Sequence, residues 1–357
     1  MNSMKKNLRV QRQRGFTLIE LMIALLLGLL VVAAAGSIFL SNRRTYGTTE
    51  TVNRIQENQR AAFELLARDI REAAGSPCSA NPAGRGNVLK DKSVSFWNDF
   101  GSGLKGTDGV DDADDSLELY MANGGDIYVT LNKDPAAVLD VNKVDGIKEN
   151  DVLMVCNADV SIVFGVTQVP GSDKTIQHNN QLNDNNGCGN GPSGAPSNSF
   201  CVTMNGVTST YCFGGMSLAP DAQPGTHCER WGTSPASVVK LSALRWYVGT
   251  NTRGGKSLYR QVYYPTNTGL PNIADSTAEV VEGVRSLEFK YQMRNGSVVS
   301  AGGVGGDWGN VVAVQLKLDM QAAAGALRGQ DLQGTDGNAL HKILTNTVVL
   351  RNREAVL

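Results

Sequence analysis

The chain has 357 residues, 41% of them hydrophobic and 19% charged, which is enough for one large domain or two modest ones with a real core. A formal net charge of −1 hides an asymmetry, because Lys5, Lys6, Arg9, Arg12 and Arg14 precede residue 16 with no acidic residue among them. The remaining body is acidic, which argues against nucleic acid as the main partner, since phosphate binding needs clustered Lys and Arg.

Residues 16–40 read FTLIELMIALLLGLLVVAAAGSIFL, with Glu20 as the only charge. A helix of this length spans about 37 Å at about 1.5 Å per residue, enough for a bilayer core. The basic leader would hold the N-terminus in the cytoplasm and leave the rest outside. A secretory signal has a shorter apolar core and a small-residue cleavage site behind it, whereas here Gly15 stands in front. Glu20 needs a reason: an ionised carboxylate costs ~2.5–3.5 kcal/mol at mid-bilayer on insertion scales, and less near the interface. Cleavage between Gly15 and Phe16 would supply one, since the new Phe16 amine lies one turn from Glu20, or can be offered to Glu20 of a neighbouring subunit.

The run Arg14-Gly15-Phe16-Thr17-Leu18-Ile19-Glu20-Leu21 resembles the class III signal of type IV pilins and type II secretion pseudopilins. The resemblance implies that a membrane-embedded aspartyl prepilin peptidase cuts after Gly15 and methylates Phe16. It also implies that Glu20 recruits the incoming subunit and sets its register. Gly36-Ser37 stands where many major pilins carry a helix-kinking proline, so a kink is expected to be absent or mild.

Beyond Asn42-Arg43-Arg44 the helical spacing continues in Val52, Ile55, Ala62, Phe63, Leu65, Leu66, Ile70 and Ala73. Glu50, Arg54, Glu57, Arg60, Glu64, Arg68, Asp69, Arg71 and Glu72 are expected to fill the other face. Gly75 and Pro77 read as the stop, a C-cap glycine followed by proline. One helix of nearly 60 residues is therefore expected from about Phe16 to Ala74. A coiled coil over residues 46–74 is the alternative, but its heptads are irregular.

Next comes an acidic loop, with Asp108, Asp111, Asp112, Asp114 and Asp115 within nine residues. Such density can cage Ca²⁺, which takes six to eight oxygens. The EF-hand spacing is not met, and a solvated Asp/Gly turn is the plainer reading. Calcium is the only cofactor the sequence suggests.

From Ser116 onward short alternating segments predict strands at residues 116–121, 151–156, 162–169, 238–248, 256–263, 284–292, 311–320 and 346–351. Residues 312–320 give the clearest period of two. The fold class is thus α+β, a long N-terminal helix packed on an antiparallel sheet. Residues 170–235 differ, being rich in Asn, Gly, Ser and Pro, and read as a polar insertion. Inside it, Asn205-Gly206 predicts a two-residue hairpin turn that sets Cys201 opposite Thr210. Cys201 and Cys212 would then be diagonal, about 7–8 Å apart, too wide for a direct bond unless the loop is longer. The six cysteines are Cys78, Cys156, Cys188, Cys201, Cys212 and Cys228. An even count behind an export segment points to disulfides in an oxidising compartment. The reading favours bonds that pin the insertion to itself, with Cys78–Cys156 as a further pairing. No Cys-x-x-Cys pair occurs and the sequence has three histidines, which argues against structural zinc. Trp97, Trp231 and Trp308 are open to either burial or partner binding.

Segments 115–120, 283–287, 308–318 and 350–353 resemble, in order, the PilW family of minor pilins. Four regions follow: a cleaved basic leader (1–15), a transmembrane or fibre-core half-helix (16–40), an amphipathic half-helix (41–75), and a β-rich head (76–357) bearing the insertion. The resemblance implies a minor pilin acting in pilus initiation and at the tip, supporting twitching motility and adhesion. Its implied partners are other minor pilins, the major pilin, the prepilin peptidase, the inner-membrane assembly platform and a tip adhesin. The implied location is the bacterial inner membrane, with the head periplasmic, and then the pilus. The alternatives are a J-like type II secretion pseudopilin and a pilin-displayed adhesin. No Gly-x-Ser-x-Gly, phosphate loop or His-Glu-x-x-His occurs, so no enzyme is expected. Gly302–Gly306 reads as a flexible hairpin tip.

Overall fold

The computed structural model describes residues 15–75, 78, 83–90, 100–110, 113–132, 138–171, 174–179, 183, 199–214, 228–263, 276–323 and 337–353. It divides into two units, residues up to Asn53 and residues from Arg54 onward.

The first unit is helical. Helix α1 (Leu18–Glu72) runs for 55 residues and continues into the second unit. No proline interrupts residues 16–75, so every backbone N–H past the first turn can find its i−4 carbonyl. The helix passes Gly36-Ser37 unbroken, and the Ser37 hydroxyl donates back to the Ala34 carbonyl at 2.8 Å.

The second unit is the end of α1 packed on β-structure. Its strands are β1 (Gly84–Asn87), β2 (Leu104–Thr107), β3 (Ser116–Leu131), β4 (Val138–Val141), β5 (Val152–Cys156), β6 (Val160–Gly165) and β7 (Thr175–Gln177). They continue as β8 (Cys201–Met204), β9 (Val207–Gly214), β10 (Arg230–Pro235), β11 (Ser237–Thr250), β12 (Lys256–Tyr263) and β13 (Thr277–Glu282). The last are β14 (Val284–Met293), β15 (Val298–Val299), β16 (Val311–Gln321) and β17 (His341–Val349), with a short helix α2 (Ala301–Val304) before β16. The larger sheet runs β10-β9-β8-β1-β6-β5-β11-β3-β4-β7, with β2 on β3 and β12-β13 on β11; the smaller runs β15-β14-β16-β17. Pairing is mostly antiparallel, but β1 with β6 and β9 with β10 are parallel. The purely antiparallel sheet expected from the sequence is corrected in these two places. Strand β3 is longer than its alternating core, carrying on to Leu131 through Gly124-Gly125.

Two main cores result. In the first, Ile55, Ala62, Leu66, Ala67, Ile70 and Ala73 of α1 are buried against Leu117, Leu119, Trp246, Phe289, Tyr291, Leu316 and Leu318. A fully buried Leu or Ile contributes about 2 kcal/mol. The helical spacing found this stripe with two errors. Leu65 is 42% exposed and Ala67 takes its place. Asp69, expected among the outward charges, is 2% exposed and faces the sheet. Gln59 is also buried and donates to the carbonyls of Leu318 (3.3 Å) and Lys342 (2.8 Å). The second core contains no residue of α1. It joins Leu153, Val155, Ile162, Phe164 and Ile176 to Phe200, Val202, Tyr211 and Phe213. The segment read as a polar insertion therefore supplies β7–β10 and, in Ile176, Phe200, Val202, Tyr211 and Phe213, part of a hydrophobic core. Its apolar residues come in pieces too short to show a period.

Helix α1 ends differently from the sequence reading. The left-handed residue is Ala74, with φ 59°, and not Gly75. Glycine is needed at 75 for a close approach: a Cβ there would lie 2.9 Å from the Asn352 side-chain nitrogen and from the Glu72 carbonyl. Asn352 Nδ2 donates to the carbonyls of Ala73 (3.2 Å) and Glu72 (3.4 Å), covering the orphan acceptors of the helix end. The next residue, Arg353, is buried and donates to the carbonyls of Trp308, Val311 and Ser102. Burial pushes its guanidinium down to about 10, helped by Arg85 and Arg294 nearby. The chain end thus ties α1, β16 and the segment before β2 together. Arg353→Ala removes the guanidinium donors from those carbonyls, leaving Trp308 O with the Val311 N–H, and is expected to cost about 2–4 kcal/mol. Lysine should recover only part, since it lacks the planar fork. Urea unfolding of the full chain in detergent measures both.

Candidate processing and assembly segment

Gly15, Phe16 and Thr17 precede the first turn of α1. Thr17 acts as its N-cap: its carbonyl accepts from Leu21 N–H (3.2 Å) and its hydroxyl oxygen from Glu20 N–H (3.3 Å). The Glu20 carboxylate reaches back to Thr17, accepting from its backbone N–H at 3.5 Å and its hydroxyl at 3.4 Å. This is a capping box, and the Thr-x-x-Glu spacing that encodes it lay open in the sequence. The sequence reading treated Glu20 only as a partner for an amine and missed Thr17. The contacts are long for hydrogen bonds, so a carboxylate held this loosely can be exchanged for a cation, whose charge-assisted bond is about twice as strong.

The helix beyond this cap is bare. Phe16 is 87% exposed, and so to lesser degrees are Leu18, Ile19, Leu25, Leu29, Val32, Ile38 and Phe39, on all faces. Among the described residues, nothing beyond the helix's own adjacent backbone comes within 4 Å of a Cβ placed at Gly28 or Gly36. Residues from Leu18 on form a helix long and apolar enough to cross a membrane. A continuous apolar surface of this size is not left to water.

The other residues singled out from the sequence lie elsewhere. Asp108 accepts from the N–H groups of Ala301 (2.9 Å) and Gly302 (2.7 Å), so Gly302–Gly306 is not a bare hairpin tip but includes the capped turn α2. Burial pushes the Asp108 carboxyl up, but the donors from Gly302, Ala301 and Ser300 outweigh it and hold it below its ordinary value. Asp114 accepts from Leu287 N–H (2.8 Å) and pairs with Lys256 (2.8 Å). Asp115 bridges Gly109 N–H (2.8 Å) and Phe289 N–H (2.7 Å). These three carboxylates pin the loop to β14 and α2, each through backbone N–H groups. Among the described residues no three His, Cys, Asp or Glu side chains form a metal-binding group. Asp111 and Asp112 lie outside the described residues, as do Cys188 and Trp97.

Cys78 is bonded to Cys156, with Cα atoms 5.9 Å apart, and Cys212 to Cys228, at 5.7 Å. Cys201 is also disulfide-bonded. The hairpin β8–β9 has the register read from its turn, Cys201 opposite Thr210, and both Asn205 (φ 51°) and Gly206 (φ 77°) adopt the positive φ a type I′ turn requires. One bond therefore staples β9 to the approach to β10, and the other joins the stretch after α1 to β5. Trp308 is buried edge-on against Tyr291, with ring centres 4.9 Å apart, and Trp231 in β10 is half-buried.

A family model describing the prokaryotic N-terminal methylation motif matches residues 10–36. Comparison with curated proteins returns no match. The matched stretch contains the Gly15–Phe16 junction, the capping box and the first half of the apolar run. With the long helix and disulfide-bearing β-sheet body, it marks a pilin-like α+β protein. The motif supports a type IV pilin or pseudopilin, and with it processing by prepilin peptidase, membrane anchoring and assembly with other pilins.

Proposed function

We propose that this chain is a minor pilin of the PilW kind, cut between Gly15 and Phe16, that helps start and cap a type IV pilus. The observation that carries the reading is residues 16–40: an apolar helix exposed on every side, with a single carboxylate at the fifth residue past the cut. In the precursor, lipid covers that surface and the Thr17–Glu20 box holds the carboxylate. In the fibre, the helices of neighbouring subunits cover it, and Glu20 exchanges its loose intrachain contacts for the Phe16 amine of a neighbour. The basic leader keeps the N-terminus cytoplasmic, and the disulfides of the head suit the oxidising side of the membrane. Chemistry enters only through the peptidase; the protein's own part is packing.

The test is a count of surface pili on cells lacking the gene, with the retraction motor intact and then disabled. Loss of pili that partly return when retraction is blocked is the expected result, because a priming subunit sets the rate of initiation. Normal piliation in both backgrounds would overturn the reading and point to a secretion pseudopilin, for which exoenzyme release is the assay.

A further inference from the structure

We infer that His178 is an acid-sensitive release built into the second core: protonating its imidazole opens the region of β6–β9 while the core packed on α1 stays closed. His178 follows β7 directly and is fully buried. Its ring lies flat on Phe200, centroids 4.1 Å apart at 18°, and meets Phe164 edge-on at 5.5 Å. Phe200 in turn meets Phe164 at 5.4 Å and Phe213 at 5.8 Å, so the imidazole is the polar member of an aromatic cluster. Neither of its ring nitrogens has a hydrogen-bond partner on another described residue, and only its own backbone favours a proton there, by less than burial opposes it.

A neutral imidazole already gives up two hydrogen bonds with water at such a position. An imidazolium would give up far more, because a charge without a counter-charge is strongly disfavoured in an apolar interior. The face of Phe200 attracts a cation, but by less than the hydration that is lost. The surrounding elements offer no help. Strands β6, β7 and β8 carry no titratable side chain apart from the disulfide-bonded Cys201. Strand β9 brings Tyr211, whose hydroxyl oxygen accepts from Asn157 Nδ2 at 2.8 Å, with Asp159 acting on it rather than on His178. Among the described residues no charged side chain contributes to the titration of His178, and burial pushes its imidazole down to about 3.

The direction follows from linkage. The open form takes up a proton near the ordinary histidine value of about 6.5, and the closed form does not. Closure is therefore at full strength above that pH and weakens by about tenfold per pH unit as pH falls towards 3. At the other sheet the remaining histidine of the described residues has a partner: His341 Nδ1 lies 2.8 Å from the Asp319 carboxylate. Acid between the histidine and carboxylate ranges should then loosen one core and spare the other. For a subunit displayed on a surface fibre, which rests on the proposed function, this would let the insertion rearrange in acid without loosening the helix that holds the fibre.

Hydrogen exchange on the full chain in detergent, read by mass spectrometry from pH 7.0 to 4.5, tests this. Protection factors over residues 160–165, 175–177 and 201–214 are expected to fall about tenfold per unit below about pH 6.5, with β14 and β16 unchanged. His178→Phe should remove that slope while leaving the near-ultraviolet circular dichroism at pH 7 as in the parent. Equal slopes in parent and variant, or a fall shared by both cores, would overturn the inference. Should the variant fail to fold, the ring nitrogen shifts of His178 in the parent decide: a neutral ring at pH 5 in the protected state supports it, and a charged ring with protection intact refutes it.

Discussion

Glu20→Ala is expected to leave membrane insertion and cleavage after Gly15 intact and to cut incorporation into sheared fibres by at least about tenfold. Insertion depends on the apolar run, which the change makes more apolar. Cleavage depends on the Gly15–Phe16 junction, which it leaves untouched. Assembly differs, because an incoming subunit would bring a Phe16 ammonium into an apolar fibre core with no carboxylate to meet it. A charge left unpaired in such surroundings costs several kcal/mol, and each 1.4 kcal/mol is about tenfold in occupancy. The capping box adds a smaller loss, since Thr17 would lose the acceptor for its N–H. Thr17→Ala isolates that share and should cost the helix start about 1 kcal/mol with assembly nearly normal. Glu20→Gln restores the cap without the charge, so it should assemble almost as poorly as alanine. Immunoblots of sheared fibres against whole-cell levels separate the three variants. Wild-type fibre levels for Glu20→Ala would remove the pairing from the proposed mechanism.

The segment that the methylation-motif model matches was legible because its physics is local. An apolar run, its one carboxylate and the glycine before it are neighbours in the chain, and no tertiary contact is needed to interpret them. The capping box was equally local. The strands of the first core were also legible, since the middles of β14 (Leu287–Tyr291) and β16 (Val314–Leu318) alternate against one buried face within runs of ten and eleven residues. The second core was hidden. Its strands β7 and β8 are three and four residues long, and β1 and β10 pair in parallel with strands distant in sequence or freshly turned, so no period could build up. The acidic loop was open to two readings for a related reason. Carboxylate density suggests a cation, yet Asp108, Asp114 and Asp115 are each spent on backbone N–H groups supplied by residues more than 170 positions away or by their own loop. Only the fold reveals those donors. Asn352 and Arg353 are the same case near the end of the described chain, where two residues of a segment that resembles a family signature also close α1.

A stability effect comparable to that at Arg353 is expected at Asp69, the charge that helical spacing placed on the wrong face. Its carboxylate accepts from Trp246 Nε1 at 3.1 Å and from Arg260 Nε at 2.7 Å, and its side chain is 3% exposed. Trp246 is among the largest fully buried side chains of the protein. Asp69→Ala therefore strands two donors at once, an indole N–H in a dry core and a guanidinium above it. Breaking a buried pair typically costs 3–5 kcal/mol, but Arg260 is 31% exposed and can partly rehydrate, so about 3 kcal/mol is expected. Asp69→Asn keeps an acceptor for Trp246 and loses the ion pair, for about half that cost. Arg68→Ala, one residue earlier, removes only an exposed pair with Glu72 at 3.6 Å and should change stability by less than about 0.5 kcal/mol. Urea midpoints of the three variants in detergent, with the near-ultraviolet signal reporting on Trp246, give the comparison. If Asp69→Ala unfolds within about 0.5 kcal/mol of the parent, this pair does not hold the helix to the sheet, and hydrophobic burial of Leu66 and Ile70 does so alone. If the cost is as expected, a polar contact fixes which face of α1 meets the head. Each subunit then presents its Arg54–Glu72 turns to the sheet in one rotational setting, as a helix that must also pack on its neighbours requires.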